Sequence, residues 1–350
     1  MIRVAVLIVT YNAEQYVDDC FNSMRASNTI ALDVRYFVVD NASSDQTCEC
    51  IRAHFPEFRL FECSTNAGFV GGNNFGWEQI ENEFPQADYL YLLNQDTIVD
   101  PDYLANAVEY LETNPHVGAA QSLLLLHPET DLINTAGNEL HFLGFGLPSY
   151  YREPRNVAPV SRSIGYPSGA AVLLRSKTLR EIGLFHPSLF LYLEDAELGL
   201  KLHLCSQSPH LCNRSIVYHK YVFNSTLNHY FYLERNRWWL IGVHYRLRTL
   251  CLLLPALVMM ECGQFGYAIS RGLFLRKLAA VFVFLNPWFF MGMIRQRYIV
   301  QKTRTVGDSV LIARMIGEIH SPHLDHWLIA KVANPFFCMY FRMLRRVVRW

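Results

Sequence analysis

The first hundred residues alternate apolar, β-branched runs with amphipathic segments, and this alternation constrains the fold more than any other feature. The apolar runs occupy residues 1–10, 36–39, 59–63 and 89–93. They predict buried strands, and the helical spacing of apolar residues from Glu14 to Arg25 predicts a helix between the first two. Because polar residues follow the strands, the pattern predicts an open, mostly parallel α/β sheet with a binding crevice at the strands' carboxyl ends.

Composition divides the 350-residue chain into two parts. Lys+Arg and Asp+Glu balance at 31 each, but residues 235–350 carry 17 basic and 4 acidic residues, a net charge of +13. Half of the chain is apolar (51%) and 18% is charged, which excludes intrinsic disorder and a coiled coil. We therefore predict a catalytic, ligand-binding domain over residues 1–230 and a helical, basic and apolar region over residues 231–350.

The second part has the composition of a membrane-associating region. Residues 250–269 and 272–294 are apolar but interrupted by charged and polar residues, and residues 341–350 are amphipathic and basic. The interruptions favour interfacial helices, with a helical hairpin that dips into the bilayer as the alternative. The apolar content favours an anionic membrane surface over nucleic acid as the partner of the basic charge. The nine scattered cysteines match no zinc spacing and favour a reducing cytosol.

The strongest candidate for chemistry is Asn94-Gln95-Asp96, which follows an apolar strand. A carboxylate at a strand end can bind a hard divalent cation, Mg²⁺ or Mn²⁺, which in turn holds a diphosphate. Taken alone, an ordinary β-turn explains the motif better.

Two further polar segments follow strands. Asp40, which precedes Asn41-Ala42-Ser43-Ser44-Asp45, can accept a hydrogen bond from the N–H of a uracil or thymine ring, although a helix N-cap at Ser43 or Ser44 is the simpler explanation. Residues 66–74 (NAGFVGGNN) contain three glycines that allow the backbone to approach a ligand, but they match no known phosphate-binding loop.

The remaining candidates lie nearer the second part. Glu194 and Asp195 are adjacent carboxylates in an aromatic setting, so a raised pKa and a general-base role compete with ordinary acids at a helix start. His219 is a structural histidine unless Asp96 holds a metal. Arg235-Asn236-Arg237 either binds phosphate or snorkels toward a membrane.

In this order, the motifs resemble those of the family 2 glycosyltransferases of the A-type fold, in particular the rhamnosyltransferase-like branch. The matching residues are Val9-Thr10-Tyr11-Asn12, Val39 to Asp45, Asn66 to Asn74, Leu93 to Thr97, Tyr192 to Asp195 and, in that branch, Tyr232 to Arg237. The resemblance covers residues 2–240 and implies a Rossmann-like nucleotide-sugar-binding domain.

The resemblance also implies residue roles. Asp195 would be the catalytic base, and Asp96 and His219 would hold Mg²⁺ or Mn²⁺ on the diphosphate. Donor-binding residues would be Thr10, Tyr11, Asn12, Asp40, Asn41, Asn66, Gly68, Asn73, Asn94 and Gln95. Acceptor-binding residues would be Gly169, Ala170, Glu194 and Arg235.

Three positions depart from the family pattern. Asn94 replaces the first acid of the metal motif, which leaves Asp96 as the charged ligand. Gln95 stands where Pro is frequent, and Glu197 stands where a second Asp often follows the Glu-Asp pair.

The resemblance implies an inverting hexosyltransferase. It would move a sugar from a dTDP- or UDP-sugar to a polyprenyl-diphosphate-linked or polysaccharide acceptor of the cell envelope. The resemblance to this branch implies L-rhamnose from a dTDP donor as the sugar. The enzyme would work at the cytoplasmic face of the membrane, peripherally or monotopically, without nucleic acid. A nucleotidyltransferase-like enzyme and a non-catalytic membrane scaffold of the same fold are the alternatives. The segment after Thr10 lacks the glycines and lysine of the first, and the intact Asp40, Asp96 and Asp195 disfavour the second.

Overall fold

The computed structural model describes residues 1–221, 227–320 and 327–350 of the chain; for residues 227 and 228 it describes the backbone. The first strands and helices alternate as predicted: β1 Ile2–Thr10, α1 Glu14–Arg25, β2 Leu32–Asp40, α2 Thr47–His54, β3 Arg59–Glu62, α3 Gly68–Glu83, β4 Tyr89–Asn94, β5 Thr97–Val99 and α4 Tyr103–Thr113. The central elements are β6 Ala119–Leu126, β7 Ile133–Thr135, β8 Asn138–Leu140, β9 Gly146–Pro148, β10 Ala171–Arg175, α5 Ser176–Ile182, α6 Glu194–Leu204 and β11 Pro209–His219. Helices then follow: α7 Leu227–His244, α8 Leu247–Ser270, α9 Phe274–Phe282, α10 Pro287–Thr303, α11 Asp308–Ala313 and α12 Asn334–Val347.

The main sheet is mixed, which corrects the prediction of a mostly parallel one. Its order is β3-β2-β1-β4-β10-β6-β11-β5, with β7 paired to β6. Strands β3, β2, β1 and β4 are parallel, whereas β10 runs antiparallel to both β4 and β6. Hydrophobic periodicity identifies a strand but carries no direction, and β10 follows a long irregular segment instead of a βα repeat. The direction of β10 was therefore not readable from its residues.

The parallel part of the sheet is buried on both faces. Val4, Val6 and Ile8 of β1 belong to the main core, together with residues of α1, α2 and α4. The opposite face of β1 carries α3, where a Cβ at Gly72 would lie 2.7 Å from Val9 Cγ1. Because successive side chains of a strand point to opposite faces, a strand covered on both sides must be apolar at consecutive positions, as β1 is over residues 4–9.

Two compact units make up the chain. One comprises Met1–Asn138, Pro148–Leu202 and Gln207–Val222 and holds the main sheet; the other comprises Glu139–Leu147, His203–Ser206 and Phe223–Trp350 and is mainly helical. Within the described residues, α8 is the one helix long and apolar enough to cross a membrane. The segments Phe274–Leu285 and Pro287–Thr303 pass the same test only as a pair, bent by 70°.

Candidate active site

The carboxyl ends of three adjacent parallel strands bring the first candidate residues together. Thr10 is paired in register with Asp40 of β2, and Val9 with Asn94 of β4. These positions are separated by 30 to 84 residues in the chain, yet they lie on one edge of the sheet. This edge is the crevice that the strand pattern predicts.

Asp40 is buried at this edge with 2% exposure, and its carboxylate organises the loops around it. Oδ1 accepts hydrogen bonds from the hydroxyls of Thr10 (3.0 Å) and Ser43 (2.5 Å), and Oδ2 accepts one from the backbone N–H of Ser43 (2.8 Å). Ser43 therefore binds Asp40 instead of capping α2, which starts later, at Thr47. Two carboxylate oxygens offer about four acceptor positions, of which these bonds fill three, and the Cys48 side chain is a further hydrogen-bond partner of the carboxylate.

The loop after β1 is tied to its neighbours on both sides. Gln95 accepts a hydrogen bond from the backbone N–H of Tyr11 (2.7 Å) and donates to its carbonyl (3.3 Å). Asn12 has a positive φ of 48°, and its side-chain oxygen accepts the Ser44 backbone N–H (2.9 Å). The exposed Tyr11 ring is thus presented at the strand edge by fixed backbone.

The glycine-rich stretch forms the first turns of α3. Asn41 joins β2 to it by donating to the Gly68 carbonyl (2.8 Å) and accepting the Ala67 N–H (3.2 Å). Asn66 accepts the Gly68 N–H (2.8 Å), and Asn73 donates within the helix to the Phe69 carbonyl. These amides hold the helix start beside the strand edge.

Backbone strain is concentrated in the segment just before α6. Phe190, Tyr192 and Leu193 have φ values of 62°, 68° and 62°, in the left-handed region that non-glycine residues seldom adopt. The Phe190 carbonyl accepts the backbone N–H of Val70 (3.1 Å), and a Cβ at Gly68, itself at φ 73°, would lie 2.6 Å from that carbonyl oxygen. Strain of this kind clusters at functional sites.

Glu194 and Asp195 start α6 directly after this segment. The backbone N–H of Gly169 donates to Asp195 Oδ2 (3.0 Å), and a Cβ at residue 169 would lie 2.7 Å from Asp195 Oδ1. Within the part of the chain that the structure describes, neither Asp195 Oδ1 nor Glu194 Oε2 has a hydrogen-bond partner, and both atoms are buried. Buried polar atoms are nearly always paired, so these two oxygens are acceptor positions that a ligand hydroxyl can fill.

The electrostatics of this pair are those of a proton acceptor. Burial raises the pKa of Asp195, and the hydrogen bond from the Gly169 N–H lowers it; burial is the larger effect, and the resulting pKa is about 6. Burial, and then the charge of Asp195, raises the pKa of Glu194 well above its ordinary value. An acid with a pKa near neutrality can both take up and release a proton under working conditions.

Glu197 faces a different partner. It forms an ion pair with Lys201 (3.0 Å), whose ammonium also donates to the carbonyls of Gly183 and Leu184. The pair fastens α6 to the loop that follows α5. Glu197 therefore has a structural partner, which accounts for a Glu where the family pattern often has Asp.

Asp96 and His219 lie together although 123 positions separate them. Strand β11 pairs with β5 so that His219 opposes Thr97, which places His219 Nε2 3.3 Å from Asp96 Oδ1. His219 Nδ1 lies 3.0 Å from Asn134 Oδ1, so that the amide oxygen fixes the proton on Nδ1. An Nε2 lone pair and a carboxylate oxygen this close repel each other unless a proton or a cation lies between them. The donor set therefore fits a divalent metal ion.

The remaining acceptor candidates are divided between the units. Ala170 lies beside Gly169, and its carbonyl accepts the Asn94 backbone N–H (3.0 Å). Arg235 belongs to the helical unit, where it is 8% exposed and lies against the rings of Phe231, Tyr232 and Phe289. Arg237 is also buried there, with 1% exposure, which disfavours the snorkelling alternative for this residue.

Three residues that position the candidate site were not predicted from the sequence. Asn134 orients His219 from a short strand, Phe190 ties α3 to α6, and Lys201 anchors α6. Only Lys201 had a signal in the sequence, because it lies four residues after Glu197 on a predicted helix. Asn134 and Phe190 gave none, since neither stands in a motif.

A family model for glycosyl transferase family 2 matches residues 5–219. This segment contains the strand edge, the glycine-rich helix start, the Glu194-Asp195 pair and the Asp96-His219 pair. The chain belongs to glycosyl transferase family 2, as the motif resemblance predicted.

Two curated relatives are informative. The chain is 23% identical over 234 residues to an N-acetylglucosaminyl-diphospho-decaprenol L-rhamnosyltransferase of Mycobacterium tuberculosis, covering 61% of this chain and 75% of the relative. It is also 23% identical over 209 residues to the poly(ribitol-phosphate) beta-N-acetylglucosaminyltransferase TarS of Staphylococcus aureus, covering 58% of this chain. That match spans about a third (33%) of TarS.

Solved structures show the same fold. GalNAc-T7 with UDP, GalNAc and Mn²⁺ superposes with a TM-score of 0.56 at 15% identity, covering 69% of this chain and 48% of that one. Residues 1–349 of S. aureus TarS in complex with UDP superpose with a TM-score of 0.51 at 15% identity, covering 99% and 90%. At this identity the likeness concerns the fold alone.

Proposed function

We propose that this family 2 member is an inverting glycosyltransferase that moves a sugar from a nucleotide-sugar donor to a lipid-linked or cell-surface glycan. The observation that carries the proposal is the pair of buried carboxylate oxygens on Glu194 and Asp195, which lack partners among the described residues. An acceptor hydroxyl that donates to Asp195 Oδ1 satisfies that atom and places its proton on a base of suitable pKa.

Transfer takes place in a single displacement. The acceptor oxygen forms a bond to the anomeric carbon while the bond from that carbon to the diphosphate oxygen breaks, and the nucleoside diphosphate leaves. The proton of the acceptor hydroxyl passes to Asp195, and Glu194 and the Gly169–Ala170 backbone position the acceptor beside it. Because the oxygen attacks opposite the leaving group, the anomeric configuration inverts.

The donor occupies the strand edge. Asp40 accepts the ring N–H of a uracil or thymine base, and Thr10, Tyr11 and Asn12 line the nucleotide. Asn41, Asn66, Gly68, Asn73, Asn94 and Gln95 shape the rest of the pocket. The UDP in the TarS structure and the uracil or thymine preference of an acceptor-only carboxylate support a UDP- or dTDP-sugar. The mycobacterial relative's name supports L-rhamnose as the sugar.

Asp96 and His219 are the residues that hold a divalent ion in this proposal. When bound, the ion neutralises the charge that develops on the leaving diphosphate. An imidazole nitrogen suits Mn²⁺ better than Mg²⁺, which prefers oxygen ligands, and the Mn²⁺ in the GalNAc-T7 structure agrees with this choice.

The acceptor is presented at the cytoplasmic face of the membrane. The +13 charge of residues 235–350 suits an anionic leaflet, and the apolar length of α8 suits association with lipid. The decaprenol-linked acceptor named for the mycobacterial relative supports a polyprenyl-diphosphate-linked substrate. Arg235 remains a proposed acceptor contact because it lies in the unit with this composition.

The decisive experiment measures nucleotide release by the detergent-purified protein from a panel of UDP-, dTDP- and GDP-sugars, with Mn²⁺, Mg²⁺ or chelator, and with a membrane lipid extract as acceptor source. We expect metal-dependent release from one donor that requires the lipid extract. Asp195→Asn should abolish that release, whereas Asp88→Asn, the same substitution in an exposed ion pair with Arg3, should leave it unchanged. No release from any donor with the extract present would overturn the proposal.

A further inference from the structure

Four charged side chains of the helical unit point inward and pair with one another. Glu234 and Arg237 of α7, Glu261 of α8 and Lys277 of α9 form one ionic cluster, with Arg237–Glu234 at 3.1 Å, Lys277–Glu261 at 2.7 Å and two shorter contacts, Arg237–Glu261 and Lys277–Glu234. The exposed fractions of these side chains are 1% for Arg237, 5% for Glu234, 0% for Lys277 and 18% for Glu261. Two positive and two negative charges thus cancel inside the helices.

The same helices turn large apolar side chains outward. The exposed set on α8, α9, the following turn and α10 comprises Leu247, Leu254, Val258, Tyr267, Ile269, Phe274, Leu275, Val281, Phe282, Leu285, Trp288, Phe290, Met291, Ile294, Tyr298 and Ile299. Trp288 is 86% exposed, Leu275 77% and Leu285 74%; Leu285 is the last residue of a 3-10 turn, Val283–Leu285, which Asn286 follows. Single exposed apolar residues are ordinary, but a run of this length is not.

The exposed charges on this segment have one sign. From residue 246 to residue 304 the only acidic residue is Glu261, which is held in the cluster. The exposed charged residues are Arg248, Arg271, Arg276, Arg295 and Lys302, all basic. They complement the anionic headgroups of a lipid leaflet, whereas a protein partner would have to offer both an apolar and an acidic surface.

We infer that the bend between α9 and α10, with Leu285 and Trp288 at its tip, inserts into the acyl layer of an anionic bilayer and returns to the same side. The 70° angle between Phe274–Leu285 and Pro287–Thr303 gives the segment the shape of a re-entrant wedge. Pro287 at the first helical position and Asn286, which caps it through the backbone N–H groups of Trp288 and Phe289, fix the bend. Insertion deepens the proposed membrane association, on which it rests.

Insertion and electrostatic adsorption differ in their response to salt. Surface attraction between bases and headgroups is screened at high ionic strength, whereas burial of Leu285 and Trp288 in hydrocarbon is not. The test is flotation of the full-length protein with phosphatidylcholine/phosphatidylglycerol vesicles in low salt and in 1 M NaCl. We expect the wild-type protein to stay with the vesicles in both.

Substitutions at the tip make the test specific. Leu285→Glu with Trp288→Glu should lower vesicle partitioning by at least tenfold, because two carboxylates would enter hydrocarbon. Ile30→Glu, a matched control at an apolar residue 92% exposed in the other unit, should partition as the wild type does. Full release of the wild-type protein by salt, or unchanged partitioning of the double variant, would overturn the inference. Nucleotide release by the detergent-solubilised double variant separates the two proposals, because it should persist even if insertion fails.

A second inference concerns three donor side chains on the outer surface of α1 and α2. Cys50 Sγ lies 3.6 Å from His54 Nδ1 and 3.8 Å from Asp18 Oδ1, and His54 Nδ1 lies 3.8 Å from the same oxygen. In a tetrahedral zinc site with ordinary bond lengths, these donors would be about 3.3–3.6 Å apart. The three atoms therefore already form nearly one face of such a tetrahedron.

We propose that Asp18, Cys50 and His54 bind Zn²⁺, with water at the fourth position. Cys50 and His54 are four residues apart on α2, so one turn of helix presents both, and Asp18 comes from α1. Thiolate, imidazole and carboxylate together suit Zn²⁺, whereas Mg²⁺ prefers oxygen alone. The site is separate from the Asp96–His219 pair by its elements, and bound zinc would link α1 to α2.

Zinc titration against a competing chromophoric chelator, in excess Mg²⁺, tests this site. In an Asp96→Asn background, which removes the charged ligand of the other proposed metal site, the protein should bind one zinc ion that Cys50→Ser and His54→Gln each weaken at least tenfold, and zinc should slow alkylation of Cys50. Cys63→Ser, at a part-buried cysteine of the same unit, is the matched control and should bind as wild type. Equal affinity in the His54→Gln and wild-type proteins, or no effect of zinc on Cys50 alkylation, would overturn the proposal.

Discussion

Each of the two units holds a pair of carboxylates that are buried or largely buried, and the surroundings of the two pairs are opposite. Glu234 and Glu261 are matched by Arg237 and Lys277, and although burial alone would raise the pKa of Glu234, these two cations hold it below its ordinary value. Glu194 and Asp195 have no cation beside them among the contacts the structure gives, and their pKa values are raised. Burial is common to both pairs, so the partner decides the charge state.

This difference in partners distinguishes a structural role from a chemical one. A fully paired cluster holds helices together and offers no free oxygen to a ligand. A pair left with orphan oxygens costs stability in the free protein and is compensated only when a substrate arrives. Substitutions in either pair of carboxylates test this difference.

The largest effect is expected at the unpaired site. Asp195→Asn keeps the shape of the side chain but cannot accept the proton, so transfer should fall by about 10³–10⁴-fold while the donor dissociation constant changes by less than about threefold. Transfer to the lipid extract and donor binding by calorimetry measure the two quantities. A variant that keeps a tenth of wild-type activity would place the base elsewhere.

The paired cluster should show a loss of stability instead of a loss of chemistry. Lys277→Met leaves two buried carboxylates with one cation, and the free energy of unfolding should fall by about 3–5 kcal/mol in chemical denaturation. Lys331→Met, at an exposed lysine of the same unit, is the control. If adding Glu234→Gln to Lys277→Met restored nothing, the cluster would not act as an ionic network.

Removal of the carboxylate proposed to bind the metal should weaken donor binding without changing the proposed base. Asp96→Asn should raise the donor dissociation constant in Mn²⁺ by about 10–100-fold, and chelator should then have little further effect. Asn134→Ala, which frees His219 Nδ1, should give a smaller change in the same direction. Unchanged metal dependence in Asp96→Asn would remove Asp96 from the metal site.

The raised pKa of Asp195 predicts the acid limb of the pH profile. The base must be ionised to accept a proton, so kcat/KM should be level above pH 7 and fall about tenfold per pH unit below about 6. The residual activity of Asp195→Asn should lack this limb. A wild-type limb with a midpoint near pH 4, the ordinary range of an Asp, would contradict the assignment.

The smallest effect is a gain in stability. A folded-state pKa raised from 3.8 to about 6 means that the ionised Asp195 destabilises the fold above pH 6, and that this penalty disappears below pH 4. The free energy of unfolding of the Asp195→Asn variant should therefore exceed that of the wild type by about 1–3 kcal/mol at pH 8 and equal it at pH 4. Asp88→Asn should show no such pH-dependent gain.

Much of the parallel half could be predicted from sequence because its determinants are local. The apolar run of β1 and the helical spacing of α1 each specify one element, and both were predicted to within a residue. The strand ends then follow from the rule that parallel strands finish on one edge, which brings Thr10, Asp40 and Asn94 together. The start of α3 could not be predicted in this way, because its glycines disfavour a helix locally, whereas close packing against β1 and β2 leaves no room for a Cβ at Gly72 or Gly76.

Long-range register accounts for what was missed. That Asp96 meets His219 depends on the antiparallel pairing of β11 with β5, and no residue near either position encodes it. The inward pairing of Arg237 depends on Glu261 and Lys277, which lie 24 and 40 residues further along. Sequence motifs identify candidate residues, but only the pairing of strands and the packing of helices determine which of these residues contact one another.

The carbonyl of Phe190 has a consequence for how this site can vary. It accepts the Val70 N–H at the start of the glycine-rich helix and stands four residues before the helix that bears Asp195. The start of the helix proposed to shape the donor pocket and the segment that leads to the proposed base are therefore joined by one hydrogen bond at a residue in the left-handed region. A substitution that moves one of these helix starts is therefore expected to move the other as well.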